Sequence, residues 1–176
     1  MSASNQKSLN MLNTALEIEE KGRNHYDTAA RECRNELGRE VFTLLRDFEV
    51  QHVARIREIY DSLKAGGQWS PEASSFTVVA DLGEVFRRLA ENLKDKAKAE
   101  ADDLEALQVG ISFESASIKF YQDQATAAED PLEKRFTELM AAEERGHLNL
   151  LTDMKQYYVD PESWFMEKDR IHLDGA

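Results

Sequence analysis

Four residues in the first half of the chain return 95 positions later: Glu19, Tyr26, Glu49 and His52 become Glu114, Tyr121, Glu144 and His147. Each half thus offers a Glu, a Tyr seven residues on, and an E-x-x-H on a second segment. A chain that must bring four carboxylates and two imidazoles together in a two-fold pattern has few folds open to it. The flanking residues narrow them. Leu9, Leu12, Leu16, Glu19, Arg23, Tyr26 and Ala30 advance in steps of three and four, as do Val41, Leu45, Phe48, His52, Ile56, Ile59 and Leu63. Leu104, Leu107, Ile111, Glu114, Ile118, Tyr121 and Ala125 form a third series, and Met140, Glu144, His147, Leu151, Met154 and Tyr158 a fourth. Such steps keep residues on one face of a helix. The pattern predicts four amphipathic helices whose stripes meet in one core.

A Glu or a His sits in the middle of each stripe, where Leu or Ile would fit. Burying a carboxylate costs several kcal/mol, as an order of magnitude, unless it is paired or bound to a metal. Four at one level of a core repel one another, and cations relieve that cost. Residues at i and i+3 are neighbours on a helix, so each E-x-x-H offers two donors to one place. In this reading Glu49 and Glu144 bridge two metals, His52 and His147 ligate one each, and Glu19 and Glu114 are terminal ligands. The oxygen and nitrogen donors suit iron or manganese. A lone E-x-x-H is common on solvated helix faces. Two copies at one offset, each 30 residues after a stripe Glu, are not. No His precedes either Glu in the H-E-x-x-H register of zinc proteases. Tyr26 and Tyr121 read as core aromatics whose hydroxyls need partners, and a ligand carboxylate would satisfy each.

At 176 residues and 20.1 kDa the chain is long enough for one domain with a substantial core. Its net charge of −12 argues against nucleic acid and anionic membrane partners. The single cysteine, Cys33, permits no intrachain disulfide and no four-cysteine iron site. No apolar run reaches the 18 or so residues of a membrane span, and the N-terminal MSASNQKS is polar rather than leader-like. The expectation is a cytoplasmic protein.

The first helix is expected from about Ser8 to Ala30, then a turn around Asn35 and Gly38, then a second helix from about Arg39 to Lys64. A long crossover follows over residues 65–101, opening on Gly66, Gly67 and Pro71 and carrying an amphipathic piece at 81–89. The third helix covers about Asp102 to Ala128, and Asp130-Pro131 starts a fourth that ends near Tyr158. Residues 1–158 then form an antiparallel four-helix bundle, and 159–176 a C-terminal tail. Trp164 and Phe165 in that tail are expected to dock on a groove or a second subunit. Short connections within each pair and a long crossover between pairs are what an all-α ferritin-like topology requires.

Over roughly residues 8–158 the chain resembles the rubrerythrin-like branch of the ferritin-like superfamily. The run Glu19-Glu20-Lys21-Gly22-Arg23-Asn24-His25-Tyr26 is close to that family's E-x-x-[AG]-R-N-x-Y. Motif by motif, Glu19 and Glu114 match its terminal ligands, Glu49 and Glu144 its bridging ligands, and His52 and His147 its histidine ligands. The resemblance implies a di-iron centre that reacts with hydrogen peroxide or oxygen. Two departures bear on function. The best-known rubrerythrins carry an extra Glu three residues after the third-helix ligand. Here that position is Ser117, and its mirror is Gly22. Both are small, and their space is open to two readings, room for a diatomic molecule or close helix packing. The paired C-x-x-C motifs of a rubredoxin domain are also missing, so electrons are expected from a separate rubredoxin-like or reductase donor.

The resulting expectation is a di-iron carboxylate oxidoreductase reducing hydrogen peroxide or oxygen, as a homodimer or larger homo-oligomer. The alternative is a ferroxidase and iron-storage protein of bacterioferritin type. Val50 stands where that family's haem-ligating Met would follow the first bridging Glu, so no haem is expected.

Overall fold

The computed structural model describes residues 3–72, 76, 82–93 and 100–174, the side chains of 3, 4 and 171–174 excepted. Six helices run in chain order: α1 Ala3–Glu32, α2 Glu36–Lys64, α3 Leu82–Leu93, α4 Ala101–Ala127, α5 Pro131–Val159 and α6 Pro161–Asp174. The described residues contain no strand. Helices α1 and α2 pair along their lengths, as do α4 and α5; α1 also meets α4. The result is an all-α ferritin-like bundle with a long connection between its two hairpins. None of the described helices is long and apolar enough to cross a membrane.

The 95-residue offset extends to the helix ends. Helices α2 and α5 are both 29 residues long, and both their starts (36 and 131) and their ends (64 and 159) keep the offset. Each start is fixed by a capping side chain at the same offset. Asn35 accepts from the Gly38 amide at 2.7 Å, and Asp130 accepts from the Leu132 amide at 2.7 Å. Gly38, expected in a turn, therefore lies in the first turn of α2, because the Asn35 cap starts the helix earlier. Gly66, with φ of 90°, takes the left-handed conformation just after α2.

The core consists of two apolar clusters on either side of a polar level. Leu12, Ile56, Phe136 and Met140 belong to one, Phe42, Leu45, Leu107 and Leu151 to the other. Fully burying one such side chain stabilises by about 1.5–3 kcal/mol. Glu19, Glu49, His52, Glu114, Glu144 and His147 lie between the clusters along the chain and are all buried. On α4 the buried line is Asp103, Leu107, Gly110, Glu114, Ser117, Tyr121 and Ala125. Leu104, Ile111 and Ile118, expected at its centre, border it half-buried. Small residues allow the close approach: a Cβ at Gly110 would stand 3.1 Å from Leu151 and 3.2 Å from the Tyr26 ring.

The crossover carries α3, whose Leu82, Phe86 and Ala90 turn inward at helical spacing. Residues 73–75, 77–81 and 94–99, which include Asp81 at the expected start of that piece, lie outside the described residues. The region expected as a tail forms α6. Its start repeats the chemistry of α5, an Asp-Pro: Asp160 accepts from the Ser163 amide at 3.0 Å. Trp164 is buried and packs edge-on against Phe86 and Tyr157, with centroids 5.1 and 5.6 Å away. Its groove is therefore supplied by α3 and α5 of the same chain.

Candidate metal centre

The six polar residues converge from four helices. Ligand atoms of Glu19, Glu49, His52 and Glu144 all lie within 4.8 Å of one another, and so do those of Glu49, Glu114, Glu144 and His147. Glu49 and Glu144 belong to both groups. Glu19 and His52 belong only to the first, Glu114 and His147 only to the second. The His52 and His147 rings lie nearly parallel at 5.4 Å, with an interplanar angle of 21°. His52 Nδ1 stands 3.0 Å from Glu19 and 3.2 Å from Glu144; His147 Nδ1 stands 3.1 Å from Glu144.

The tyrosines tie the two hairpins together across the pseudo-two-fold. Tyr26 of α1 donates its hydroxyl to Glu114 of α4, and Tyr121 of α4 donates to Glu19 of α1. Each bond is made with the opposite half. One oxygen of each of those carboxylates is thereby fixed, which leaves the other facing the cluster.

Crowded carboxylates without cations shift one another strongly. Burial raises Glu49 well above the ordinary carboxylate range, and the charges of Glu19 and Glu144 push the same way. Burial and Glu144 raise Glu114 likewise. Burial and Glu19 raise Glu144. Burial would raise Glu19 as well, but the hydrogen bond and charge of His52 outweigh it and bring Glu19 to about 2. Burial disfavours a charged His52, yet Glu144, Glu143 and Glu19 together hold it well above the usual histidine value. His147 moves the other way, because burial outweighs the charge of Glu114.

Two oxygens in this set accept no hydrogen bond although fully buried: Glu49 Oε2 and Glu144 Oε1. They belong to the two residues shared by both groups. A buried carboxylate oxygen left without a partner is costly, and a cation held by hard oxygen and imidazole donors would satisfy each. The donor set therefore fits a pair of metal ions on the chemistry of its own atoms.

At Gly22 the close neighbour is a carboxylate of the cluster. A Cβ there would stand 3.3 Å from Glu49 Cδ and 3.5 Å from both its oxygens. The Glu49 carboxylate therefore packs close against Gly22. Ser117, in contrast, lines an outer groove of about 530 Å³ between α1 and α4, with Ile18, Val109 and Phe113.

Glu143 was not singled out by sequence, because it lies beside the α5 stripe, where a charge normally meets water. It is buried here, with Oε2 3.1 Å from His52 Nε2 and 2.9 Å from Arg55 Nη1. Burial raises its carboxyl, but His52 and Arg55 outweigh that and hold it below the ordinary value.

No curated protein and no solved structure gives a significant match to the chain. The sequence model of the Rubrerythrin family matches residues 10–155, which take in both E-x-x-H motifs, both tyrosines and both remaining glutamates. With its buried carboxylate and histidine cluster at the level that such a bundle uses for metal, the chain belongs to the rubrerythrin family.

Proposed function

We propose that this protein is a di-iron carboxylate oxidoreductase that reduces hydrogen peroxide with electrons from a separate donor. The observation that carries the reading is the pair of buried oxygens on Glu49 and Glu144 that accept no hydrogen bond, on the two carboxylates common to both ligand groups. In this reading Glu19, Glu49, His52 and Glu144 hold one ion, and Glu49, Glu114, Glu144 and His147 hold the other, with manganese the other ion the donors suit. When bound, two ferrous ions supply the two electrons that convert one peroxide and two protons into two waters. Glu49 and Glu144, common to both ligand groups, would hold both ions. Tyr26 and Tyr121 fix the terminal carboxylates so that their free oxygens stay aimed inward. The apolar clusters above and below the site keep bulk water out. In this reading the electrons come from a rubredoxin-like or reductase donor, and we place the protein in the cytoplasm as a homodimer or larger homo-oligomer.

Ser117 favours a second reading. Where the best-known rubrerythrins have a seventh ligand, this chain has a hydroxyl, which leaves the symmetric donor set of a ferroxidase. Stopped-flow absorbance of the anaerobically reduced, iron-loaded protein separates the two. The peroxidase reading expects oxidation by hydrogen peroxide at least about tenfold faster than by oxygen, a barrier difference of about 1.4 kcal/mol. Faster oxidation by oxygen, iron accumulating well beyond the dinuclear complement, and a large shell on gel filtration would move the assignment to iron storage.

A further inference from the structure

The two ligand histidines have the same sequence register and different surroundings. His52 Nε2 faces Glu143 at 3.1 Å, and Glu143 is clamped by Arg55 at 2.9 Å. Arg55 is itself held, with its guanidinium 3.6 Å from the centroid of Phe76 and its Nη1 3.8 Å from Met140 Sδ. The offset of 95 gives each member of this pair a counterpart in the other half: Phe48 for Glu143 and Leu150 for Arg55. Both counterparts are apolar and join the same core cluster. The Phe48 ring lies 5.0 Å from the His147 ring. One half therefore gives its histidine a carboxylate backed by a guanidinium, and the other gives its histidine a phenyl ring.

We infer that Glu143 is a positioning residue that orients His52 through Nε2, and that the two metal positions are consequently unequal, the ion at His52 binding first and more tightly. A carboxylate at Nε2 requires the proton to sit there, so the Nδ1 lone pair faces the centre. It also fixes the ring plane and makes Nδ1 the better donor. Phe48 has no atom that can do this for His147. The inference rests on the dinuclear reading above and adds an order of filling to it.

The test is an anaerobic titration of the metal-free protein with Co2+, followed by visible absorbance and heat. The wild type is expected to take up two ions in two resolved steps. Glu143→Leu should weaken the tighter step about 10- to 100-fold, the usual consequence of losing a carboxylate behind a metal-bound imidazole, and leave the weaker step in place. Arg55→Leu with Glu143→Leu, which leaves no unpaired guanidinium, should do the same and covers the case in which the single variant folds poorly. Glu143→Gln, which can still accept from Nε2, should restore most of the tighter step. His52→Ala should abolish that step, and His147→Ala the other. Two steps unchanged in both leucine variants, or weakened equally, would overturn the role given to Glu143. A wild type that binds fewer than two ions would instead overturn the dinuclear reading itself.

Discussion

The α1–α2 hairpin and the α4–α5 hairpin share their ligands, their tyrosines, their helix caps and the ends of their second helices. They differ in what stands one shell further out. Glu143 and Arg55 back one histidine, while Phe48 and Leu150 occupy the matching places by the other. Gly22 presses on Glu49, while its counterpart Ser117 opens on an outer groove. Helix α5 carries both α3 and α6, while its counterpart α2 packs on α3 without α6 among its main partners. Where a residue must meet the shared centre, the two halves agree. Where it need only fill space behind the centre, they diverge, because many side chains can fill space and few can satisfy a buried carboxylate oxygen.

The largest test of this comparison lies at the point where the halves merge. Glu49→Ala or Glu144→Ala removes a carboxylate shared by both ligand groups, and should cost the protein both ions. Glu19→Ala or Glu114→Ala removes a residue of one group, and should cost mainly one. Metal content per chain by mass spectrometry, after reconstitution and dialysis, gives the answer. Equal, slight losses at all four positions would show that the shared and terminal roles are wrongly drawn.

The next effect breaks the halves apart by stability. Trp164 is almost wholly buried against Phe86 and Tyr157, so Trp164→Ala should destabilise by about 3–5 kcal/mol, the range for emptying a large aromatic site. Hydrogen exchange should show lost protection concentrated in α5 and α6, with α1 changed least. A uniform loss would mean that the outer layer on α5 supports both hairpins alike.

How much of this was legible in the sequence follows from the same division. The bundle and the converging six residues could be read because a carboxylate or imidazole inside an apolar stripe is chemically conspicuous. The repeat of Asn35 and Asp130 as caps is also present in the sequence, but Asn35 followed by Gly38 equally suits a turn. Helix α6 had a signal too: Asp160-Pro161 repeats Asp130-Pro131. Its 14 residues looked like a tail because Trp164, Phe165 and Met166 stand in a row rather than at helical spacing. Glu143 and Arg55 left no trace. A charge beside a stripe reads as a solvated surface unless its partners on another helix are known, and Glu143 is buried only because α2 brings His52 and Arg55 to it.

Acid–base behaviour offers a smaller, signed test. In the metal-free protein Glu49, Glu114 and Glu144 are raised above the ordinary carboxylate value of 4.5, and His52 above 6.5. The folded state then binds more protons than the unfolded state. Their contribution is complete below those unfolded values and is lost as pH rises through the folded ones. His147, lowered from 6.5, acts in the opposite sense, and Glu143, held below its ordinary value, does so only below 4.5. Glu19, held at about 2, matters only below 4.5, where its contribution fades as pH falls. Metal-free protein should therefore melt at a higher temperature near about pH 6 than near pH 8. Metal-loaded protein should do the reverse, because bound cations replace those protons and compete with them. Parallel pH trends in the two forms would show that the carboxylates are not what the metal neutralises.

The smallest effect concerns Gly22 and Ser117, a pair of small residues at matching positions three residues after a ligand glutamate. In an exposed helix interior Gly→Ala gains about 1 kcal/mol from backbone entropy. At Gly22 the new methyl would sit 3.3 Å from Glu49 Cδ, closer than most such contacts, so the carboxylate must shift by a few tenths of an ångström. In the metal-free protein Glu49 has one oxygen that accepts no hydrogen bond and can yield, so Gly22→Ala should melt at the same temperature or slightly higher. With metal bound, Glu49 is the shared ligand and cannot yield without lengthening its bonds, so Co2+ affinity should fall. Ser117→Ala introduces no new contact and should leave Co2+ binding unchanged. Calorimetry of both variants with and without Co2+ reads both effects. If Gly22→Ala binds Co2+ as tightly as wild type, the glycine is only a packing convenience, and the two halves are more alike around the centre than their sequences suggest.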